Sequence, residues 1–252
     1  MHILLSNDDG ILARGLQVLE QACEPLGELS VVAPDREQSA TSHSLTLHHP
    51  LRPVRLSERR WQVDGTPTDC VLLASQALLP TSPDVVISGI NHGPNMGEDV
   101  LYSGTVAAAM EGLALGIPAI AVSFAGSVQR ADAMLDTQID AVRGLLRHLL
   151  SLPALPRDTL FNVNLPAVPG SEIKGVRLTR LGRRVFSDSI TRMKDPWGRE
   201  ILWIGGGSVE WSGPEDSDFL AVHDGYISVT PLHLDLTHRD ILDTSADWWQ
   251  AP

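Results

Sequence analysis

The sequence is poor in cysteine, in aromatic side chains and in positive charge. Two cysteines in 252 residues exclude a secreted scaffold held together by disulfides. Neither Cys23 nor Cys70 has a second cysteine or a histidine at zinc spacing, so we expect two buried, reduced thiols. Nineteen Lys and Arg residues against 31 Asp and Glu give a net charge of −12. This balance argues against a nucleic-acid polymer as partner.

Long apolar segments and several common nucleotide-binding and hydrolase motifs are also absent. No apolar run reaches the roughly 18 residues of a membrane span, and Met1 and His2 lead into a strand-like run without a signal-peptide pattern. We therefore expect no membrane partner and a cytoplasmic location. A Walker A loop, a dinucleotide fingerprint and a nucleophile elbow are all missing. Any phosphate chemistry must therefore depend on other residues.

The first part of the chain alternates apolar strands with helical segments. His2–Ser6 and Ser30–Ala33 are predicted strands, and a helical pattern lies between them. A connection of this length joins parallel strands. Similar strands are predicted at 61–64, 84–88, 118–124 and 160–164. The pattern predicts an α/β fold with a mostly parallel, doubly wound sheet over residues 1–175.

The pattern changes beyond about residue 175. Short β-like runs at 176–179 and 201–204 alternate with turns rich in Gly, Trp and Pro, and Tyr226–Leu232 is a further predicted strand. Loops are predicted at 205–207 and at Trp211–Pro214, and a short helix-like stretch is predicted in the tail around Trp248 and Trp249. This part is too small and irregular to fold alone. We predict that residues 176–252 form a β-rich arm or subdomain that completes the fold and takes part in oligomerisation.

Four polar loops, three of which contain glycine, follow predicted strands, at residues 7–10, 34–44, 65–69 and 89–105. Ligands of doubly wound sheets bind outside the carboxyl ends of the strands. The four loops are therefore expected at one edge of the sheet, and this convergence predicts a binding site.

The stretch LLSNDDG places Asp8 and Asp9 directly after the first strand. Two adjacent carboxylates repel each other unless one keeps a proton or a cation lies between them. Oxygen ligands favour Mg²⁺, Mn²⁺ or Ca²⁺. The alternative is a solvated turn that caps the next helix.

The stretch GINHGPNMG alternates glycine with asparagine, so its backbone can approach a ligand closely. Asn91 and Asn95 offer amide groups, and His92 is a candidate general base, although a histidine in a loop is more often unengaged. The alternative is an ordinary surface loop.

A helix is predicted to begin near Ser103, Gly104 and Thr105. Free N–H groups, two hydroxyls and the helix dipole together form a cradle suited to phosphate. The alternative is a serine cap without a ligand. Glu111 lies farther along this otherwise apolar helix and requires a polar partner that the sequence does not identify.

Five segments, taken together and in order, resemble the SurE survival-protein family: ILLSNDDG, VVAPDREQSATSHSLT, GTPTDCV, DVVISGINHGPNMGEDVLYSGTVAAAMEG and GYISVTPL. The resemblance implies a Rossmann-like three-layer αβα domain and a C-terminal hairpin with a swapped tail. It also implies a metal-dependent 5′/3′-nucleotidase that acts on nucleoside monophosphates. Homodimers or homotetramers, with one Mg²⁺ or Mn²⁺ per subunit, are implied as well.

The resemblance assigns roles to single residues. The implied metal ligands are Asp8, Asp9, Ser39 and Asn91, although Ser42 and Ser44 are equally plausible from the loop alone. The implied phosphate-binding residues are Asn95, Ser103, Gly104 and Thr105. Asp8 and Asp9 are also the candidate catalytic residues, since either could orient or deprotonate the attacking water.

One position departs from the family pattern. Many members have glycine after the metal-binding serine, whereas this chain has Ala40. If the position has positive φ, alanine costs up to about 1–2 kcal/mol of strain.

The sequence thus predicts hydrolysis of nucleoside monophosphates by metal-activated water. Two alternatives stay open: a phosphatase with a covalent Asp8 intermediate, and a nucleotide sensor that uses the same pocket without catalysis.

Overall fold

The computed structural model describes residues 1–126, 128–152, 158–187, 190–204 and 208–245. The helices are α1 (Arg14–Cys23), α2 (Pro67–Leu73), α3 (Gly104–Ala114), α4 (Val128–Leu150), α5 (Asp218–His223) and α6 (Arg239–Thr244). The first strands are β1 (His2–Ser6), β2 (Glu28–Pro34), β3 (Pro53–Ser57), β4 (Arg60–Val63), β5 (Val85–His92), β6 (Ala119–Phe124) and β7 (Leu160–Leu165). The later strands are β8 (Val176–Leu178), β9 (Arg183–Ser187), β10 (Ile190–Lys194), β11 (Glu200–Ile204), β12 (Ser208–Ser212) and β13 (Ile227–Leu232).

A nine-stranded sheet of order β3-β4-β2-β1-β5-β6-β7-β13-β8 forms the middle layer. The six strands from β4 to β7 run parallel, as predicted, and β3 and β13 are antiparallel to their inner neighbours. From β1 the chain builds outward through β2 and β4, and it then returns to β5 on the other side of β1. Strand order therefore reverses between β1 and β5, where doubly wound sheets bind ligands.

Helices cover both faces of this sheet and form two cores. Helices α1 and α4 pack together on one face, and α2 and α3 pack together on the other. Helix α3 approaches the sheet closely because Gly112 has no side chain. A Cβ atom there would lie 2.8 Å from Val86 Cγ2. The expected three-layer α/β architecture is thus confirmed.

Two predicted boundaries were wrong near the site. Strand β5 extends to His92, past the predicted end at residue 88, because a register shift between Ser88 and Asn91 lets pairing with β6 resume at Asn91. Trp211 and Ser212 belong to β12 rather than to a loop. The N-terminus of α2 agrees with the sequence, since Thr66 and Asp69 form a capping box.

The second part of the chain adds two strands to the main sheet and also forms two separate ribbons. Strand β13 pairs with β7, and β8 pairs with β13. Strands β9 and β12 form one two-stranded ribbon, and β10 and β11 form another. We refer to residues 183–212 as the arm. The domain boundary at residue 175 stays a prediction, and the predicted tail helix around Trp248 lies outside the described residues.

Within the described residues, no helix is long and apolar enough to cross a membrane.

Candidate active site

A cleft of about 680 Å³ opens where β1 and β5 end. It is lined by residues from the end of β5, from the loops that follow β1, β2 and β5, from the segment before α3 and from the arm. The lining residues are Asp8, Ser39, Ala40, Asn91, His92, Pro94, Asn95, Asp99, Tyr102, Ser103, Arg184 and Ile204. Loops separated along the sequence therefore meet at one sheet edge.

Asp8 is buried beneath this cleft, with 4% of its surface exposed. The Thr105 hydroxyl donates a hydrogen bond to Asp8 Oδ1. Gly104 allows this approach, because a Cβ atom there would lie 2.7 Å from Asp8 Cβ. Burial raises the pKa of Asp8 to about 6, against the lowering effect of the Thr105 hydrogen bond.

Asp9 accepts a hydrogen bond from the His92 backbone N–H at 3.0 Å. The His92 ring is farther away, with Nδ1 3.9 Å from Asp9 Oδ2. Burial raises the pKa of Asp9, against the lowering effect of nearby His92. Asp9 is thus fixed to the end of β5, one residue from Asn91. The backbone of His92 has a structural part in this arrangement that the sequence did not suggest.

The residues around Asp8 and Asp9 fit a hard divalent cation. Two neighbouring carboxylates with raised pKa values lack a close Lys or Arg partner among the described ion pairs. The neutral oxygens of Ser39 and Asn91 line the same cleft. Asn91 Nδ2 donates to Gly93 O at 2.8 Å, which leaves the amide oxygen available as a ligand. Among the described residues, no three His, Cys, Asp or Glu side chains cluster at metal-binding distance. The other donors that the cleft offers are the neutral oxygens of Ser39 and Asn91.

Ala40 has φ = 57°, in the left-handed region. The departure noted in the sequence therefore falls where alanine is strained. The adjacent loop is held near the site, since the Gln38 N–H donates to Asp8 O at 2.7 Å.

Replacing Ala40 by glycine should raise the free energy of unfolding. Release of about 1–2 kcal/mol of strain exceeds the 0.4–1 kcal/mol or so lost to the freer unfolded chain. We expect a net gain of about 0.5–1 kcal/mol in urea denaturation. Ala133→Gly is the matched control, since Ala133 is exposed like Ala40 but lies within helix α4, and this variant should lose stability. An equal loss in Ala40→Gly would contradict the strain at this position.

Asn95 is held by side chains from two neighbouring strands. Its backbone N–H donates to Asn164 Oδ1 at 2.9 Å, and its carbonyl accepts from Asn162 Nδ2 at 2.8 Å and Asn164 Nδ2 at 3.0 Å. Its own Nδ2 donates to Ser123 Oγ at 2.8 Å. We call Asn162, Asn164 and Ser123 the clamp. All three are fully buried, so Asn95 occupies a preorganised position in the cleft.

Ser103 caps α3, and its hydroxyl oxygen accepts from the Val106 N–H at 3.0 Å. The hydroxyl proton stays available to a ligand at the positive end of the helix dipole. Thr105 is different, because its hydroxyl is already engaged by Asp8. Of the predicted phosphate residues, Asn95 and Ser103 line the cleft directly, whereas Gly104 and Thr105 pack against Asp8.

Glu111 finds its partner in the loop that carries Ser39. It is 8% exposed on α3, and its carboxylate lies 2.8 Å from His43 Nε2. The same loop is held by the Ser42 N–H, which donates to Tyr102 O at 3.1 Å. The His43–Glu111 pair therefore fastens the Ser39 loop to the helix beneath the site.

His43→Ala should lower the free energy of unfolding by about 1–3 kcal/mol, because a buried carboxylate loses its partner. The double variant His43→Ala/Glu111→Leu should recover most of this stability, since the Glu111 environment is largely apolar. Urea denaturation of both variants measures this difference. An equal deficit in the double variant would contradict the pairing.

Several residues of the site escaped the sequence analysis. The clamp asparagines lie in the apolar run LFNVN, and their alternation was the available signal, since alternate strand residues share one face. No local sequence pattern indicated a role for Asp218. Its fully buried carboxylate accepts from the N–H groups of Gly97 and Gly182, each at 2.9 Å.

The fold and the cleft define a class of protein: an α/β protein with a ligand-sized cleft at the switch point of a doubly wound sheet. Within this class, the chain belongs to the SurE family, because the family model described as "Survival protein SurE" matches residues 3–188.

Named relatives and a solved structure agree with this assignment. A protein of Gemmatimonas aurantiaca named "5'-nucleotidase SurE" is 83% identical over 252 residues, which cover all of both chains. A Pelobacter propionicus protein of the same name is 48% identical over 98% of this chain and 99% of the relative. The crystal structure of the SurE protein from Aquifex aeolicus aligns with a TM-score of 0.87 and 40% identity over the full length of both chains.

Proposed function

We propose that the protein is a nucleotidase that hydrolyses nucleoside 5′- and 3′-monophosphates to nucleoside and phosphate. The observation that carries this proposal is the cleft in which the buried Asp8, next to the partly buried Asp9, meets the N-terminus of α3. The names of relatives at 83% and 48% identity support the same activity.

The residues divide into two groups. Asp8, Asp9, Ser39 and Asn91 would hold one divalent cation, Mg²⁺ or Mn²⁺. When bound, the cation would polarise a phosphoryl oxygen and lower the pKa of a water molecule. Asn95, Ser103 and the first N–H groups of α3 bind the phosphoryl oxygens and stabilise the charge that develops on them.

Asp8 and Asp9 differ in their freedom to handle a proton. Asp8 is fixed by Thr105 and lies deeper, whereas Asp9 keeps the oxygen that does not accept from His92. Asp9 is therefore the better candidate to orient the attacking water and accept its proton. The departing alkoxide takes up a proton from solvent in the open cleft.

Phosphate release from nucleoside 5′- and 3′-monophosphates tests the function. We expect release with Mn²⁺ or Mg²⁺ and none with EDTA. Binding of the nucleotide without turnover would favour the sensor instead. A phosphorylated Asp8 trapped during turnover would favour the covalent route.

We also propose a homo-oligomer, dimeric or tetrameric. The ribbon of β10 and β11 exposes large apolar side chains, and exposed apolar patches mark protein contacts. They are Ile190, Met193, Trp197, Leu202, Trp203 and Ile204.

A further inference from the structure

Some lining residues of the cleft take no part in the phosphate chemistry proposed above. A volume of about 680 Å³ is that of a site for a whole small molecule rather than for a phosphate group. The unassigned side chains include one aromatic ring and one ion pair. They are Ala40, His92, Pro94, Asp99, Tyr102, Arg184 and Ile204.

Tyr102 presents an aromatic face next to the phosphate cradle. Its side chain is 60% exposed, and it directly precedes Ser103 in the chain. Its backbone is fixed on both sides, since its N–H donates to Asp99 O at 3.0 Å and its carbonyl accepts from Ser42. Rigid aromatic faces of this kind stack on nucleobases whatever the base.

Arg184 reaches the cleft from β9 and pairs with Asp99. Its Nη1 donates to both carboxylate oxygens of Asp99, and its guanidinium lies 5.7 Å from the centroid of the Trp211 ring. Because the two charges compensate each other, this pair is poorly suited to a second phosphate. The Asp99 oxygens can still accept hydrogen bonds from hydroxyl groups, as carboxylates do from the ribose in dinucleotide sites.

The structure holds this pair in place through Asp218. The Asp218 carboxylate joins Gly97, at the start of the segment that carries Asp99, to Gly182, just before β9. The Arg184 N–H also donates to Glu98 Oε2 at 2.7 Å. Asp99 and Arg184 are thus preorganised on one wall of the cleft.

We propose that Tyr102 and the Asp99–Arg184 pair form the nucleoside-binding part of the cleft. Tyr102 stacks on the base, and Asp99, oriented by Arg184, accepts hydrogen bonds from the ribose hydroxyls. This inference rests on the proposed nucleotidase function and adds to it the residues that select nucleotides over simpler phosphate esters.

The test compares kcat/KM for adenosine 5′-monophosphate, ribose 5-phosphate and glycerol phosphate, with Mn²⁺ and the full-length protein. Tyr102→Ala should lower the ratio of the nucleotide to ribose 5-phosphate by about 5- to 100-fold, the range expected for one stacked base. Tyr102→Phe keeps the ring and should keep the ratio. Leu101→Ala is the matched control, because Leu101 is 58% exposed and lies outside the cleft lining.

Asp99→Asn tests the ribose contact. It should lower the ratio of ribose 5-phosphate to glycerol phosphate by about three- to tenfold, because one charged acceptor is lost. Thermal unfolding confirms that each variant is folded. Equal losses on all three substrates would overturn the inference.

Failure of the proposed function looks different. In that case the unchanged protein releases phosphate from none of the three esters with Mn²⁺ or Mg²⁺. Adenosine binding, measured by calorimetry, then tests the inference alone. Binding weakened in Tyr102→Ala supports the inference, and binding that is absent or unchanged overturns it.

Discussion

Asp8→Asn should lower kcat/KM for nucleoside monophosphates by about a thousandfold. Removal of a residue that only hydrogen-bonds to a metal ligand typically lowers metal affinity or activity by about 10- to 100-fold. Removal of a ligand itself should lower them further. The variant keeps the size of the side chain, and the Asn oxygen can still accept from Thr105. The loss should therefore arise from the missing charge. Phosphate release at increasing Mn²⁺ concentration is the measurement.

Asp140→Asn is the control for this change, because Asp140 is on the surface of α4 with 91% of its side chain exposed. It should keep the activity of the unchanged protein. Metal-dependent hydrolysis that persists in Asp8→Asn would place the active site elsewhere.

Asp8→Asn should also stabilise the metal-free protein at neutral pH. The pKa of Asp8 is about 6 in the folded protein, against an ordinary value of 3.8. Between these values the folded protein retains the proton that the unfolded chain releases, so rising pH favours unfolding. The free energy of unfolding of the unchanged protein begins to fall near pH 4 for this reason. The fall is complete above pH 6 and amounts to about 2–3 kcal/mol.

Urea denaturation with EDTA from pH 4 to 7.5 measures this effect as the difference between Asp8→Asn and the unchanged protein, in which most other titrating groups cancel. We expect the advantage of the variant to grow with pH. Excess Mn²⁺ should reverse the order, since the cation stabilises the paired carboxylates. A difference that does not vary with pH would contradict the raised pKa of Asp8.

The position of the candidate site could be predicted from the sequence because it depends on local patterns. LLSNDDG ends a buried strand, and GINHGP follows a second strand in the same way. The carboxyl ends of parallel strands share one edge, so Asp8 and Asn91 had to lie near each other. The cap at Ser103 was equally local.

The supporting contacts depend on pairings that a single sequence does not display. His43 reaches Glu111 across 68 positions, and Asp218 reaches Gly97 across 121. Neither contact leaves a periodic signal, because each joins a loop or a short helix to a distant element. The sequence also could not indicate that the Thr105 hydroxyl donates to Asp8, and the phosphate role of Thr105 stays a prediction.

The second large effect on activity is expected from a change in the clamp that holds Asn95. Asn164→Ala should lower kcat/KM by about 10- to 100-fold, because displacement of a positioning group by about 1 Å can cost this much. The side chain of Asn164 makes two of the three clamp contacts with the Asn95 backbone. Its loss leaves the Asn95 N–H without a partner, so the free energy of unfolding should also fall by about 1–3 kcal/mol.

Asn162→Ala separates the loss of activity from the loss of stability. Asn162 is equally buried and lies on the same face of β7. It makes only one contact with Asn95, and the Asn95 carbonyl that it reaches also accepts from Asn164. In urea denaturation Asn162→Ala should lose less stability than Asn164→Ala, because the Asn95 carbonyl keeps its hydrogen bond from Asn164. Steady-state kinetics should show the larger loss in Asn164→Ala, mainly in KM and in the affinity for inorganic phosphate. If the two variants lost activity in proportion to their stability, the clamp would be a packing feature rather than a device that positions Asn95.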